Sequence, residues 1–289
     1  MVQEVLAGLG IGPGSVCVDG TVGLGGHACA LLEASAPNGR VIAVDRDTEA
    51  LGRAAQVLAP FGPRVTLAEA VFAEIPQVLK RVGIDQVNAI LLDLGVSSLQ
   101  LERAERGFSF QRPGPLDMRM DARAGRTAAD VVRDATEPEL ERVFRELGEE
   151  RWARRIARAI VAARRVEPIT TTDQLAEVIW RAVPPPARYG RIHPATRVFQ
   201  SLRMEVNGEL ELLHEALRVL PGLLLPGGRL CIISFHSLED RSVKHAFRHW
   251  ADDPGFRVLT RRPLTAGSDE VEQNPRSRSA KLRVLERAA

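Results

Sequence analysis

VDGTVGLGGHACALLE, residues 18–33, places Gly20, Gly23, Gly25 and Gly26 between an apolar run, SVCV (15–18), and a helix-like segment, ACALLE (28–33). Glycine tolerates positive φ and has no Cβ, so such a turn lets a ligand approach the backbone amides. Three readings are open: the pyrophosphate of a dinucleotide, the amino-acid end of S-adenosylmethionine, or a turn with no guest. A dinucleotide fingerprint, G-x-G-x-x-G, starts directly after its strand. Here the strand ends in an acid, Asp19, followed by G-T-x-G-x-G-G. A carboxylate suits an ammonium better than a pyrophosphate, while amides at the helix start, Gly25, Gly26 and His27, can receive a carboxylate. The stretch therefore favours S-adenosylmethionine.

Working outward, strand-like runs alternate with helical ones. SVCVD (15–19), RVIAVD (40–45), RVTLAEA (64–70) and QVNAILLDLG (86–95) are continuous apolar strands, with helical TEALGRAAQVLA (48–59) and FAEIPQVLKRVG (72–83) between them. That alternation predicts a parallel sheet covered on both faces. The next comparable strand, RLCIISF (229–235), follows only after a long helical interval, more than a crossover needs. PELERVFRELGEERWARRIARAIVAAR (138–164), TDQLAEVIWRAV (172–183) and ATRVFQSLRMEVNGELELLHEALRVL (195–220) carry helical apolar spacing, the last with a break near Gly208. FRVLTRR (256–262) and KLRVLER (281–287) are late strands flanking a polar stretch, TAGSDEVEQNPRSRS, that reads as a mobile loop.

The expected architecture is α/β, a doubly wound seven-stranded sheet with an inserted helical domain. The expected boundaries are 1–104 with 221–289 for the sheet domain and 105–220 for the insertion. Ligands of such sheets bind beyond the carboxyl ends of the strands. Those ends carry DGTVGLGGH, DRD, LDLGVSS and SFHSLED, all on one edge.

Composition bounds the function loosely. The 289 residues are 45% hydrophobic and 26% charged, with a net charge of +2, which does not announce a nucleic-acid binder. No apolar run approaches the ~20 residues of a membrane span, and the N-terminus lacks the pattern of a signal peptide. Cys17, Cys29 and Cys231 have no metal spacing and read as reduced residues of a cytoplasmic protein. Lys80, Lys244 and Lys281 are the only lysines among 39 basic residues, a bias that GC-rich coding produces without any functional cause.

Individual residues follow from the sheet edge. Asp45, ~20 residues beyond the glycines, is placed to chelate ribose hydroxyls, in NAD and S-adenosylmethionine proteins alike. Asp47 reads as the start or cap of the next helix. Phe72 lies against an adenine or in the core, and Asp93 ends the fourth strand. His236 follows the fifth strand on the catalytic edge and is a candidate to touch substrate. Alternatively, SFHSLED only turns the chain and caps a helix, through Ser234 or Ser237 with the later acids. His245 and His249 have the four-residue spacing of a zinc pair, but no third ligand is evident nearby and no metal is expected.

VDGTVGLGGH, AVDRD, LLDLGVSSLQL, ERGFSF, GPLDMRMD, RIHPATRVFQSLRMEVNGEL, ISFHSLEDRSVK and NPRSRSAKLRVLER together resemble the RsmH (MraW) family over nearly the whole chain. Members methylate N4 of a cytosine in 16S ribosomal RNA of the small ribosomal subunit. The resemblance implies a class I (Rossmann-like) methyltransferase fold, S-adenosylmethionine as donor, and an insertion that helps receive RNA. It also places the cofactor on Gly25, Gly26, His27, Asp45, Phe72, Asp93 and Gln100. The start departs from the family: MVQEVL stands where a short histidine-containing lead-in is usual.

Cytosine N4 is a poor nucleophile, so transfer needs an aimed amine and an acceptor for its N–H. Asp93 and His236 are the candidate catalytic residues. No cysteine follows a proline at a strand end, which argues against the covalent chemistry of C5 methylation. Arg191, His193 and Arg197, with Arg154 and Arg158 on the arginine-rich helix, are candidate RNA contacts; solvated charges paired with Glu146, Glu149 and Glu150 are the plain alternative. GPLDMRMD (114–121) reads as a substrate lid or a fixed connector, and an exposed face of the insertion leaves room for a homodimer. The competing functions are an NAD-dependent oxidoreductase, a non-catalytic RNA-binding assembly factor, and a small-molecule methyltransferase.

Overall fold

The computed structural model describes residues 1–190 and 192–289. The chain forms two compact units, Met1–Gly95 with Leu210–Ala289, and Val96–Glu209.

The first unit is built on one sheet. Its strands are β1 (Val16–Asp19), β2 (Arg40–Asp45), β3 (Val65–Glu69), β4 (Val87–Asp93), β5 (Leu224–Ser234), β6 (Phe256–Val258), β7 (Leu264–Thr265) and β8 (Lys281–Arg287). They lie in the order β3-β2-β1-β4-β5-β8-β6, with the two-residue β7 also paired to β8. β1 to β5 are mutually parallel, and β8 runs antiparallel to β5, β6 and β7. The order reverses between β1 and β4, the switch point at which open α/β sheets leave a crevice. Asp19 is in register with Ala43 and Leu91, Asp45 with Glu69, and Asp93 with Ile233, so all three aspartates reach the same carboxyl edge.

In chain order the helices of this unit are α1 (Val2–Leu9), α2 (Gly26–Ala34), α3 (Thr48–Leu58), α4 (Ile75–Arg81), then α12 (Glu209–Val219), α13 (Ser237–Trp250) and α14 (Ser268–Gln273). Successive strand residues point to opposite faces. Cys17, Val41, Ala43, Leu91 and Ile233 face a core made with α1, α2 and α3, through Val5, Leu31, Leu32 and Leu58. Val18, Ile42, Val44, Leu92 and Ile232 face the other core, made with α4, α12 and α13, through Val78, Leu79, Leu217 and Phe247. Both faces are apolar because both are covered, which explains the unbroken hydrophobic strands.

The second unit is helical: α5 (Ser98–Glu102), α6 (Ala128–Asp134), α7 (Glu137–Glu146), α8 (Ala153–Ala163), α9 (Thr172–Ala182), α10 (Pro185–Arg188) and α11 (Ala195–Asn207). Leu140, Phe144, Ile156, Ile160, Leu175, Ile179 and Leu202 form its buried core. Capping boxes open α6 at Thr127 with Asp130 and α7 at Thr136 with Glu139.

Three expectations change. The stretch 138–164 is two helices, because Glu149 has φ 48° and a Cβ on Gly148 would lie 2.8 Å from both Phe144 O and Arg197 O. The left-handed Glu149 interrupts the helix, and the backbone packed around Gly148 leaves no room for a side chain there. The polar stretch after β6 is not an open loop: it contains β7 and α14, with Ser277 buried and Glu270 3.1 Å from the Met1 ammonium. β5 also starts five residues earlier than its apolar core, through a register shift at Val87/Ala89. The break at Gly208 is present, as a left-handed residue with φ 60° closing α11.

Candidate active site

β1 delivers Asp19 to the sheet edge, buried, and the chain then turns through the glycine loop. The glycines have different jobs. A Cβ on Gly20 would meet Leu92 at 2.5 Å and Ile75 at 2.9 Å, so this residue must be bare to fit between β4 and α4. Gly25 caps α2 in the left-handed region, with φ 88°. Nothing lies within 4 Å of a Cβ built on Gly26, so the first turn of α2 opens onto free space.

Asp45 binds the loop to the sheet. Its Oδ2 accepts from Gly23 N at 2.8 Å and its Oδ1 from Asp47 N at 2.9 Å. Burial raises its carboxyl, and those two amides pull the other way. Asp47 caps α3 by accepting from Glu49 N at 3.0 Å, as its position suggested. Phe72 is half-buried against the core that contains Leu92 and Ile75.

Asp93 is held from its backbone: its N–H donates to Thr21 Oγ1 at 2.7 Å, a tie from the glycine loop to the end of β4. Its Oδ2 lies 3.5 Å from His27 Nε2. Three buried polar atoms in this cluster have no hydrogen-bond partner: Asp19 Oδ2, His27 Nδ1 and Asp93 Oδ1. Burial pushes the Asp19 carboxyl up to about 7, against the pull of His27 and the Thr21 amide. Burial works against a charged His27, but Asp93 and Asp19 outweigh it and raise the ring above 6.5. Thr21 escaped the sequence reading, although it lies inside DGTVG. Its role depends on a contact 72 residues away, which no local pattern signals.

Three carboxylates, one imidazole and an open helix start make this edge a receptor for a cationic ligand that also carries a carboxylate. A pyrophosphate would meet Asp19, Asp45 and Asp93 together, so the oxidoreductase alternative is electrostatically disfavoured. Orphaned buried acceptors fit an ammonium, and the first amides of α2 fit its carboxylate.

Residues 1–288 match the model of the MraW methylase family. The chain belongs to that family. This methylase is 53% identical to the ribosomal RNA small subunit methyltransferase H of Syntrophotalea carbinolica, over 99% of this chain and 96% of that protein. It is 52% identical to the protein of that name from Geobacter sp. strain M21 and 50% to that of Desulfotalea psychrophila, at the same coverage. The enzyme is thus an S-adenosylmethionine-dependent methyltransferase of α/β fold.

The remaining sequence candidates are placed as follows. His236 is the N-cap of α13: its Nδ1 accepts from Glu239 N at 3.4 Å, and Glu239 Oε2 accepts from Phe235 N at 2.8 Å. The cap that the sequence offered to Ser234 or Ser237 is thus supplied by His236. Asp240 holds Arg283 at 2.7 Å and Lys281 at 3.3 Å, tying α13 to β8. Within the second unit, Gln100 is buried and closes the capping box of α5 with Ser97. His193 is stacked on Trp180, at 5.3 Å, and tilted against Phe110, at 4.8 Å, and burial lowers its pKa. Arg197 donates to Glu149 O at 3.1 Å. Arg158 faces Glu137 at 3.4 Å rather than the glutamates expected, and Arg154 is exposed. Arg191 lies outside the described residues. GPLDMRMD is a fixed connector, because Asn207 donates to Met118 O and accepts from Met120 N, both at 2.8 Å. Among the described residues no group of three His, Cys, Asp or Glu gathers at metal-binding distance, and no helix is long and apolar enough to cross a membrane.

Proposed function

We propose that this methylase modifies N4 of a cytosine in 16S ribosomal RNA, within the small ribosomal subunit. The single observation that carries the reading is the Asp93 carboxyl: Oδ2 faces His27 at 3.5 Å, and the buried Oδ1 has no partner. An acceptor at the end of β4, fixed by the Thr21 tie, can hold one N–H of an exocyclic amine.

When bound, S-adenosylmethionine supplies an electrophilic methyl group on a sulfonium. The residues of this chain do the rest. The Gly25 N–H is already given to Val22 O at 2.8 Å, so Gly25 shapes the loop. The amides of Gly26 and His27 take the carboxylate, and Asp19 Oδ2 takes the ammonium. Asp45, already anchored by two amides, retains lone pairs for ribose hydroxyls, and Phe72 flanks the adenine. Gln100 joins them on the strength of its place in the family pattern. Asp93 Oδ1 holds the amine proton while nitrogen becomes tetrahedral, which frees its lone pair for the methyl carbon. His236, having capped α13, supports the edge from β5. Positioning supplies much of the rate, with no covalent adduct.

The RNA reaches the helical unit through Arg154, Arg158, Arg191 and Arg197, with His193 packing behind them. An unpaired or flipped cytosine is the form that can enter such a site. The substrate places the enzyme in the cytoplasm, and a homodimer is compatible with the exposed helices. Incubating small subunits that lack the modification with methyl-labelled cofactor, then mapping nucleosides by mass, tests the reading. Label recovered as N4-methylcytidine supports it, and label elsewhere refutes it.

A further inference from the structure

The helical unit contains a ladder of rings: Phe199, Phe110, His193, Trp180 and Tyr189. Phe199 meets Phe110 edge-on at 4.9 Å, His193 lies against Phe110, and Trp180 stacks on His193 with planes 18° apart. Tyr189 ends the ladder, 5.7 Å from Trp180 at 86°. The inner rings are packed, but Tyr189 is 80% exposed, and it is the only tyrosine of the chain. A perpendicular contact occupies one edge or one face of a ring, so at least one face of Tyr189 is open to solvent.

The scaffold below it is stiff. His193 Nδ1 accepts from Ala195 N at 3.1 Å, and Pro184 caps α10, which opens with Pro185 and Pro186 and which Tyr189 follows. Arg188, beside the ring, donates to Val183 O and Arg181 O, both at 3.2 Å. Carbonyls hold that guanidinium without cancelling its charge. From 177 to 199 the sequence carries four arginines, Arg181, Arg188, Arg191 and Arg197, against one acid, Glu177.

Arg181 pairs with Glu177 at 2.6 Å, which leaves the stretch a net surplus of arginine. An exposed ring at the end of an aromatic ladder in such a stretch has the chemistry of a nucleobase platform. A protein partner would use the apolar area of Tyr189 but would gain nothing from the surplus of arginine. We infer that Tyr189 is a stacking platform for an unpaired base of the RNA substrate, with Trp180, His193 and Phe110 holding it in place. This rests on the RNA reading above, and it assigns His193 a supporting role instead of a phosphate contact.

The probe is a fluorescein-labelled single-stranded adenosine 12-mer, titrated at several salt concentrations into the full chain and into Tyr189→Phe, Tyr189→Leu and Tyr189→Ala. Each base stacked on an aromatic ring strengthens binding by roughly 5- to 150-fold. Tyr189→Phe should stay within about twofold of the parent, while the Leu and Ala variants lose affinity in that range. The slope of log K against log salt should be the same for all, since phosphate contacts are untouched. Tyr189→Leu binding as tightly as the parent, or no binding by the parent, overturns the inference; retention by Leu alone would instead mark an apolar docking point for a protein. Methylation of small subunits, assayed alongside, separates the two claims. If the parent methylates cytosine N4 and Tyr189→Leu has an unchanged KM for subunits, only the stacking inference fails. If the parent transfers no methyl to RNA, the functional reading fails.

Discussion

Asp93 combines an anchored backbone with a buried, unpartnered carboxyl oxygen. Asp93→Ala should fold normally and lower kcat by about 10²- to 10⁴-fold, the range of a general acid–base contribution; circular dichroism and single-turnover methyl transfer check both halves. Asp19 has a pH signature. Its carboxyl is pushed up to about 7, above its unfolded value of 3.8, so the folded state holds the extra proton between those limits. Its contribution to the stability of the ligand-free protein therefore falls as pH rises through that window, while affinity for a cationic ligand rises. His27 is raised as well, so its favourable pairing is present at low pH and fades as pH rises through its folded value. Calorimetric titration with S-adenosylhomocysteine should show tighter binding at pH 8 than at pH 6. Asp19→Asn should flatten that difference, and at pH 8 without ligand it should unfold at a higher temperature than the parent. Much of this site was legible as spacing: an acid before glycines, another at each strand end. The Thr21–Asp93 tie and the orphaned oxygens were not, because they exist only once β1 and β4 lie side by side.

Elements follow the same division between local and distant causes. β2 and β8 have the limits that the sequence suggested. For β2 the reason is that the core of a strand covered on both faces is an unbroken apolar run. β8 keeps its limits although four of its seven residues are charged, its buried Arg283 and Glu286 being held in ion pairs with Asp240 and Arg229. The interruption of 138–164 was hidden, since Gly148 and Glu149 sit within a charged run that keeps helical periodicity. The unit boundary at Gly95 and Leu210, against 104/105 and 220/221 from the sequence, moves α5 into the helical unit and α12 into the sheet unit. Asn207 gives this scale its own test. It is buried, and its side chain serves Met118 O, Met120 N and Arg203 O. Asn207→Ala leaves buried backbone groups unsatisfied, which should destabilise the protein by about 1–3 kcal/mol or more. Denaturant unfolding measures the loss, and a change under 0.5 kcal/mol, about the size of a neutral surface substitution, would show that the connector is held by something else.

At the scale of the whole molecule, the sheet unit presents a receptor for a cationic methyl donor and the helical unit carries an arginine-rich surface around an aromatic ladder. The amine-directed chemistry read from Asp93 is the claim on which the rest depends. Its direct measurement is mass mapping of 16S RNA from modification-deficient small subunits after incubation with methyl-labelled S-adenosylmethionine, for the parent and Asp93→Ala. The expected result is one labelled cytidine bearing its methyl on N4 with the parent and none with the variant. Label on C5, in another RNA, or at full level with Asp93→Ala would contradict the account.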